Sequence, residues 1–192
     1  MIVITNPTTI SNEIKSIHSF FEEGLMRLHI RKPGYSETEM RLFVSAIGLE
    51  FANRLVLHSY HHLAEAFEIN HIHFPERDRP HFRASDTFQK STSVHSMENF
   101  NALSNDFDYA FLSPVYPSIS KIGYRSEVNL TETIKKRTNF KTKLVALGGI
   151  DADNIQQTLE NGFDDVALLG TIWNSNNPLE NFKKCKQIVH SF

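Results

Sequence analysis

In the stretch LVALGGIDADN, residues 144–154, an apolar run ends in Gly148 and Gly149 and is followed at once by Asp151. Paired glycines let backbone N–H groups approach an anion with no Cβ in the way. Asp151 is a good N-cap for a helix whose start attracts phosphate. A second apolar run ends in Gly170, with Thr171 directly behind it. Each glycine site alone also reads as an ordinary tight turn. The two together, at the ends of successive strands, favour phosphate binding.

Three further stretches carry groups able to do chemistry. FLSPVYPSISKIG, residues 111–123, offers the hydroxyls of Ser113, Ser118 and Ser120 and the cation of Lys121, on a loop stiffened by Pro114 and Pro117. Such a loop can close over a phosphorylated ligand, and it reads equally well as a solvated surface loop. STSVHS, residues 91–96, sets Ser93, His95 and Ser96 at a strand end, suited to holding phosphate or moving a proton; a packed or capping histidine is the plainer reading. In LMRLHIRKPG, Arg27, His29 and Arg31 alternate with the apolar Met26, Leu28 and Ile30. Period-2 alternation separates two faces of a strand, either the interior and exterior of a barrel or the wet and dry faces of an edge strand.

The chain has ten histidines and one cysteine. His29, His58, His71 and His73 fall at strand ends, and imidazole suits zinc or iron. No H-E-x-x-H or comparable spacing occurs, so the sequence predicts no dedicated transition-metal motif. Cys185 lies in the last helix and reads as structural, and a single cysteine makes no intramolecular disulfide.

These groups need a scaffold. The 192 residues suit one domain spanning 1–192, and 40% hydrophobic with 22% charged residues is ordinary for a soluble protein. A formal net charge of −2, with no polybasic run, excludes a nucleic-acid or acidic-lipid footprint. No apolar stretch approaches the ~20 residues of a membrane span. MIVITNPTT has neither the basic nor the apolar region of a secretory leader. A reducing cytoplasm is the expected home.

Strands are predicted at 2–5, 25–31, 55–58, 71–74, 89–94, 108–113, 143–148 and 165–170. Helices are predicted at 12–23, 36–53, 61–68, 97–104, 130–137, 153–161 and 179–190, with the helix between Phe74 and Gln89 reduced to a loop. Strands alternating with helices imply a parallel sheet, and eight strands imply closure into a compact (β/α)8 TIM barrel. An open doubly wound sheet is the rival. Loops after strands seven and eight are where such barrels commonly hold phosphate, which gives the two glycine sites their place.

As an ordered set, LHIRK, HIHFPERD, STSVHS, DYAFLSPVYPSISK, ALGGIDADNI and FDDVALLGTIW resemble the thiamine phosphate synthase and thiazole tautomerase superfamily over nearly the whole chain. The resemblance implies the (β/α)8 barrel. It implies small phosphorylated thiazole and pyrimidine substrates, with a diphosphate that departs bound to Mg²⁺. It places Arg31, Ser93 and Lys121 on the diphosphate and Asp78 on Mg²⁺. Ser118 and Ser120 stand where the family has threonines near the thiazole phosphate, and Gly149, Gly170 and Thr171 offer that phosphate backbone N–H groups. His29 takes a position usually held by glutamine. Neither nucleic acid nor membrane is implied as a partner; self-association is common among barrels.

The chain departs from the family at specific points. The Asn-Asp pair after the third strand, whose aspartate binds metal, is His58-Ser59 here, and serine is a poor substitute for a carboxylate on a hard cation. The family lysine two residues after the arginine is Pro33, with Lys32 adjacent and expected to compensate. These changes predict weakened or lost Mg²⁺ binding with the phosphate cradle intact. The tautomerase branch needs no metal, but its key histidine aligns with Pro114, so His29, His58, His73 or His95 would have to serve instead. Three readings follow: a synthase, a tautomerase-like isomerase with a relocated acid/base, and a catalytically silent barrel that binds thiamine phosphate or its thiazole precursor.

Overall fold

A computed structural model describes residues 1–81, 88–116 and 133–192. Its eight strands are β1 (Ile2–Ile4), β2 (Leu28–Ile30), β3 (Leu55–Leu57), β4 (His71–Phe74), β5 (Gln89–Val94), β6 (Tyr109–Leu112), β7 (Lys143–Leu147) and β8 (Asp165–Leu168). Each pairs in parallel with its neighbour in sequence, and β8 returns to β1, so the sheet closes as an eight-stranded barrel. The open-sheet alternative is thereby excluded. No helix among the described residues is long and apolar enough to cross a membrane.

The outer layer contains α1 (Glu13–Glu22), α2 (Glu37–Ile47), α3 (Leu63–Ala66), α4 (Met97–Asn101), α5 (Ile155–Glu160), α6 (Gly170–Trp173) and α7 (Pro178–His190). Helix α1 buries Ile17, Phe20 and Phe21, the three- and four-residue spacing of one helical face. Helix α2 starts in a capping box, with the Ser36 hydroxyl accepting from the Glu39 amide and the Glu39 carboxylate accepting from the Ser36 amide. The helix predicted over 36–53 is in fact two pieces. Gly48, at φ +105°, ends α2, and the chain continues as a 3₁₀ helix, Leu49–Arg54. The segment after β4 is likewise a 3₁₀ helix, Glu76–His81, where a loop was expected. The predicted helix over 130–137 begins outside the described residues.

Strand alternation sorts side chains between two cores. The outward set, with Leu28, Ile30, Ile72, Val94, Leu112 and Leu144, packs on the helices in the main apolar cluster. The interior is two-sided. On the β6–β8 and β1 side, Ile2, Ile4, Phe111, Val145 and Ala167 form a separate apolar cluster. On the β2–β6 side, His29, His58, His73, Ser91, Ser93 and Tyr109 contact one another inside the barrel. Closure is tied by the Trp173 indole, which donates to the Ile4 carbonyl at 2.7 Å.

Candidate active site

The carboxyl ends of the strands open into one cavity of about 700 Å³. Arg31, Asp78, Ser93, His95, Gly148, Gly149, Gly170 and Thr171 all line it, so most of the residues singled out in the sequence converge on one mouth. Ser118, Ser120 and Lys121 lie outside the described residues. Ser59, Glu76, Ser113 and Phe111 also line the cavity.

Each wall has its own chemistry. On the β2 side Arg31 is exposed, and its backbone is fixed by Thr5, whose hydroxyl accepts from the Arg31 amide at 2.9 Å and donates to the Arg31 carbonyl at 3.2 Å. That anchoring leaves the guanidinium free of strand duty. After β4, Asp78 is exposed and sits 3.5 Å from the Arg77 Nε, while Glu76 is held by Arg79 and by the Asn99 amide. After β5, the His95 Nδ1 lies 2.7 Å from the Ser113 carbonyl. A carbonyl only accepts, so Nδ1 carries the proton and Nε2 is left to face Glu76, 4.0 Å away.

The opposite wall is the glycine wall. Gly148 and Gly149 adopt φ of +98° and +66°, a region side chains rarely enter. A Cβ on Gly148 would also stand 3.0 Å from the Pro114 Cα and Cβ, so the turn admits no larger residue without a shift. The Asn154 side-chain amide donates to the Gly149 carbonyl at 2.8 Å and fixes the loop against α5. Gly170 and Thr171, expected at the end of the eighth strand, instead open α6, so their amides have no partner four residues back.

Two expectations are corrected. Lys32 lines the cavity, but its ammonium is committed elsewhere. It is 1% exposed, its ammonium pairs with the Glu13 carboxylate at 2.5 Å, donates to the Thr8 carbonyl at 3.0 Å and lies over the Phe43 ring. Successive residues of an extended chain point oppositely, and the Lys32 ammonium lies against Glu13 of α1 and Phe43 of α2. His29 is not a cavity-lining residue. It is fully buried below the floor, sharing hydrogen bonds with His58 Nε2 at 2.8 Å and Tyr109 Oη at 2.6 Å.

That floor is the part that motif spacing missed. His58 and His73 line the cavity, their rings stacked 4.1 Å apart, and His73 is held by the Ser91 and Ser93 hydroxyls at 2.9 Å each. Burial holds the pKa of His29 and His58 well below the usual histidine range, and with help from His61 and Arg31 it brings His73 to about 3. All three are neutral imidazoles at neutral pH. Burial pushes Tyr109 up to about 12, so it is a phenol and never a phenolate there.

The family model described as Thiamine monophosphate synthase matches residues 1–172. A thiamine-phosphate synthase of Desulfitobacterium hafniense is 26% identical over 85% of this chain and 83% of that protein. One of Anoxybacillus flavithermus is 29% identical over 66% of this chain, a match covering only 61% of that protein. The crystal structure of a thiamine phosphate pyrophosphorylase from Bacteroides thetaiotaomicron superimposes with a TM-score of 0.80, at 32% identity over 99% of this chain and 97% of that one. With the closed barrel and the two-walled cavity already in place, these matches establish that the chain belongs to the thiamine monophosphate synthase family.

Proposed function

We propose that this protein is a transferase of thiamine biosynthesis that joins a hydroxymethylpyrimidine diphosphate to a thiazole phosphate and releases diphosphate. The observation that carries this reading is the cavity with two unlike walls, one bearing Arg31, Ser93 and Asp78 and the other Gly149, Gly170 and Thr171. A reaction with two phosphorylated substrates needs two anion sites that do not compete. The charged wall suits the leaving diphosphate, and the glycine wall suits the thiazole phosphate, which is retained.

In the reaction the bond between the pyrimidine methylene carbon and the diphosphate oxygen breaks, and the diphosphate leaves with the bonding pair. The thiazole then bonds to the vacated carbon. Charge grows on the departing oxygens, so a cation already in place stabilises the transition state more than the ground state. Arg31 supplies such a cation, with the exposed Arg77 also on the cavity wall and the Ser93 hydroxyl as a neutral donor. The apolar half of the interior, Phe111 with Ile4 and Ala167, reaches the cavity floor and lowers the dielectric around the reacting centre.

A magnesium ion arriving on diphosphate fits Asp78. Magnesium commonly takes one or two carboxylates together with phosphate oxygens and water, and Asp78 stands on the cavity wall with its carboxylate exposed and Glu76 nearby. When bound, the ion supplies positive charge to the diphosphate. Ser59, also on that wall, contributes no charge, so the ion is held chiefly through the substrate.

The relatives described above bear synthase or pyrophosphorylase names, and none is named an isomerase. The test is turnover of the purified protein with both substrates, in Mg²⁺ and in chelator. Mg²⁺-dependent formation of thiamine phosphate is expected. Thiazole-phosphate binding with no product under any metal would overturn the transferase reading in favour of a binding barrel. Isomerisation of a thiazole carboxylate phosphate in chelator would replace it with the tautomerase.

A further inference from the structure

We propose that His29, His58 and His73 form a second, nitrogen-donor metal site in the barrel interior that takes one transition-metal dication of the zinc class. The three residues each present one ring nitrogen, and these nitrogens lie within 4.8 Å of one another. They come from three adjacent strands: β2 supplies His29, the end of β3 supplies His58 and β4 supplies His73. The donor set is distinct from the Asp78 carboxylate, while the site opens into the same cavity and borders Arg31 and Ser93.

The donor set decides the metal. Neutral imidazoles are poor ligands for magnesium or calcium and good ones for zinc, cobalt, nickel and copper. Among the described residues no carboxylate completes the cluster, so this is no variant of an oxygen site. The rings are already oriented from outside. Tyr109 meets the outer nitrogen of His29, and both nitrogens of His73 are held by the Ser91 and Ser93 hydroxyls, so metal binding displaces one of these hydroxyls and keeps the other. Histidine ligands of metals are ordinarily steered by such partners on the remaining nitrogen.

A purely structural role accounts poorly for the cluster. The other half of the same interior is filled by Ile2, Ile4, Phe111, Val145 and Ala167. Aliphatic side chains would fill the histidine half with no desolvation cost. Three imidazoles are instead gathered where one proton already bridges His29 and His58 across 2.8 Å, with the His73 ring stacked on His58 and needing to tilt to share a metal. A dication replaces that proton. With N–Zn bonds of about 2.0–2.1 Å in tetrahedral geometry every pair of nitrogens must reach about 3.3 Å, so His29 and His58 open by roughly half an ångström and the third nitrogen, within 4.8 Å of the others, closes in. His58 and His73 line the cavity, which leaves the fourth position open to water or an anion there. Arg31 stands on the same wall and favours an anion in that position.

The experiment uses the full chain stripped with chelator and titrated with Zn²⁺ and with Co²⁺ in excess Mg²⁺. Calorimetry is expected to show one site per chain that Mg²⁺ does not compete for. The Co²⁺ form is expected to show the intense visible bands of a four-coordinate ion. His58→Asn and His73→Asn should each weaken binding at least about 100-fold, the upper end of what outer-shell changes alone cause. Exchanging the exposed His62 and His190 for alanine should change nothing. Zinc X-ray absorption of the unmutated protein, expected to show three imidazole ligands, gives the answer even where a buried variant fails to fold. No saturable zinc binding, a zinc shell without three imidazoles, or binding that survives both asparagine variants would overturn the site.

Discussion

Arg31 and Lys32 are neighbours with opposite assignments. Arg31 is exposed on the cavity wall, and a charge-assisted hydrogen bond to diphosphate contributes about 1.5–3 kcal/mol. Arg31→Ala is therefore expected to lower kcat/KM for the pyrimidine diphosphate about 10–100-fold, with little change in KM for the thiazole phosphate; steady-state kinetics with each substrate varied in turn checks both. Lys32 belongs to the stability of the fold. Its ammonium and the Glu13 carboxylate are almost wholly buried, and burial raises the Glu13 pKa and lowers that of Lys32 despite their attraction. Removing one partner strands the other charge, so Lys32→Met should cost about 3–5 kcal/mol in denaturant unfolding. Adding Glu13→Leu should recover most of that loss, and kcat/KM of the folded fraction should move far less than in Arg31→Ala. A drop in kcat/KM equal to that of Arg31→Ala would return Lys32 to the substrate.

Gly148 is where an element meets the site. It combines a φ of +98° with a Cβ position 3.0 Å from the backbone of Pro114. Gly148→Ala is expected to destabilise by about 1–3 kcal/mol and to weaken thiazole-phosphate binding; an unfolding midpoint unchanged from the parent would show the turn is not strained. Strands β4 and β5 fall at 71–74 and 89–94, as expected; His71 and His73 of β4 alternate with Ile72 and Phe74, whereas β5 is polar on both faces from Gln89 to Ser93. Helix α2 was overextended because the apolar pattern continues through Phe51, while Gly48 ends the helix by its conformation alone. Helix α6 went unread because Gly170 and Thr171 follow an apolar run without a break, and only the turn of the chain makes them helical. The cavity residues were legible because each sits at a strand end beside glycine, serine or a charge. The three histidines were legible singly as strand-end imidazoles, but their meeting was not, since residues 29, 58 and 73 are separated by whole helices and a ligand motif within one element cannot report it.

At the scale of the molecule, packing sets the reactivity of the one thiol. Cys185 in α7 is 1% exposed, and burial, with the charge of Asp151, pushes its pKa up to about 11. Only the thiolate alkylates, so native protein at neutral pH is expected to resist iodoacetamide. Labelling should rise along the same denaturant curve as the emission change of Trp173. Two separate midpoints would mean that α7 detaches before the barrel opens. The indole of Trp173 has a consequence of its own. Its N–H is bonded to the Ile4 carbonyl, between residues 169 positions apart, at the seam where β8 meets β1. That proton reaches deuterium only when the seam parts. In a heteronuclear spectrum the sole indole resonance should be among the last signals to fade, with an opening free energy near that of global unfolding.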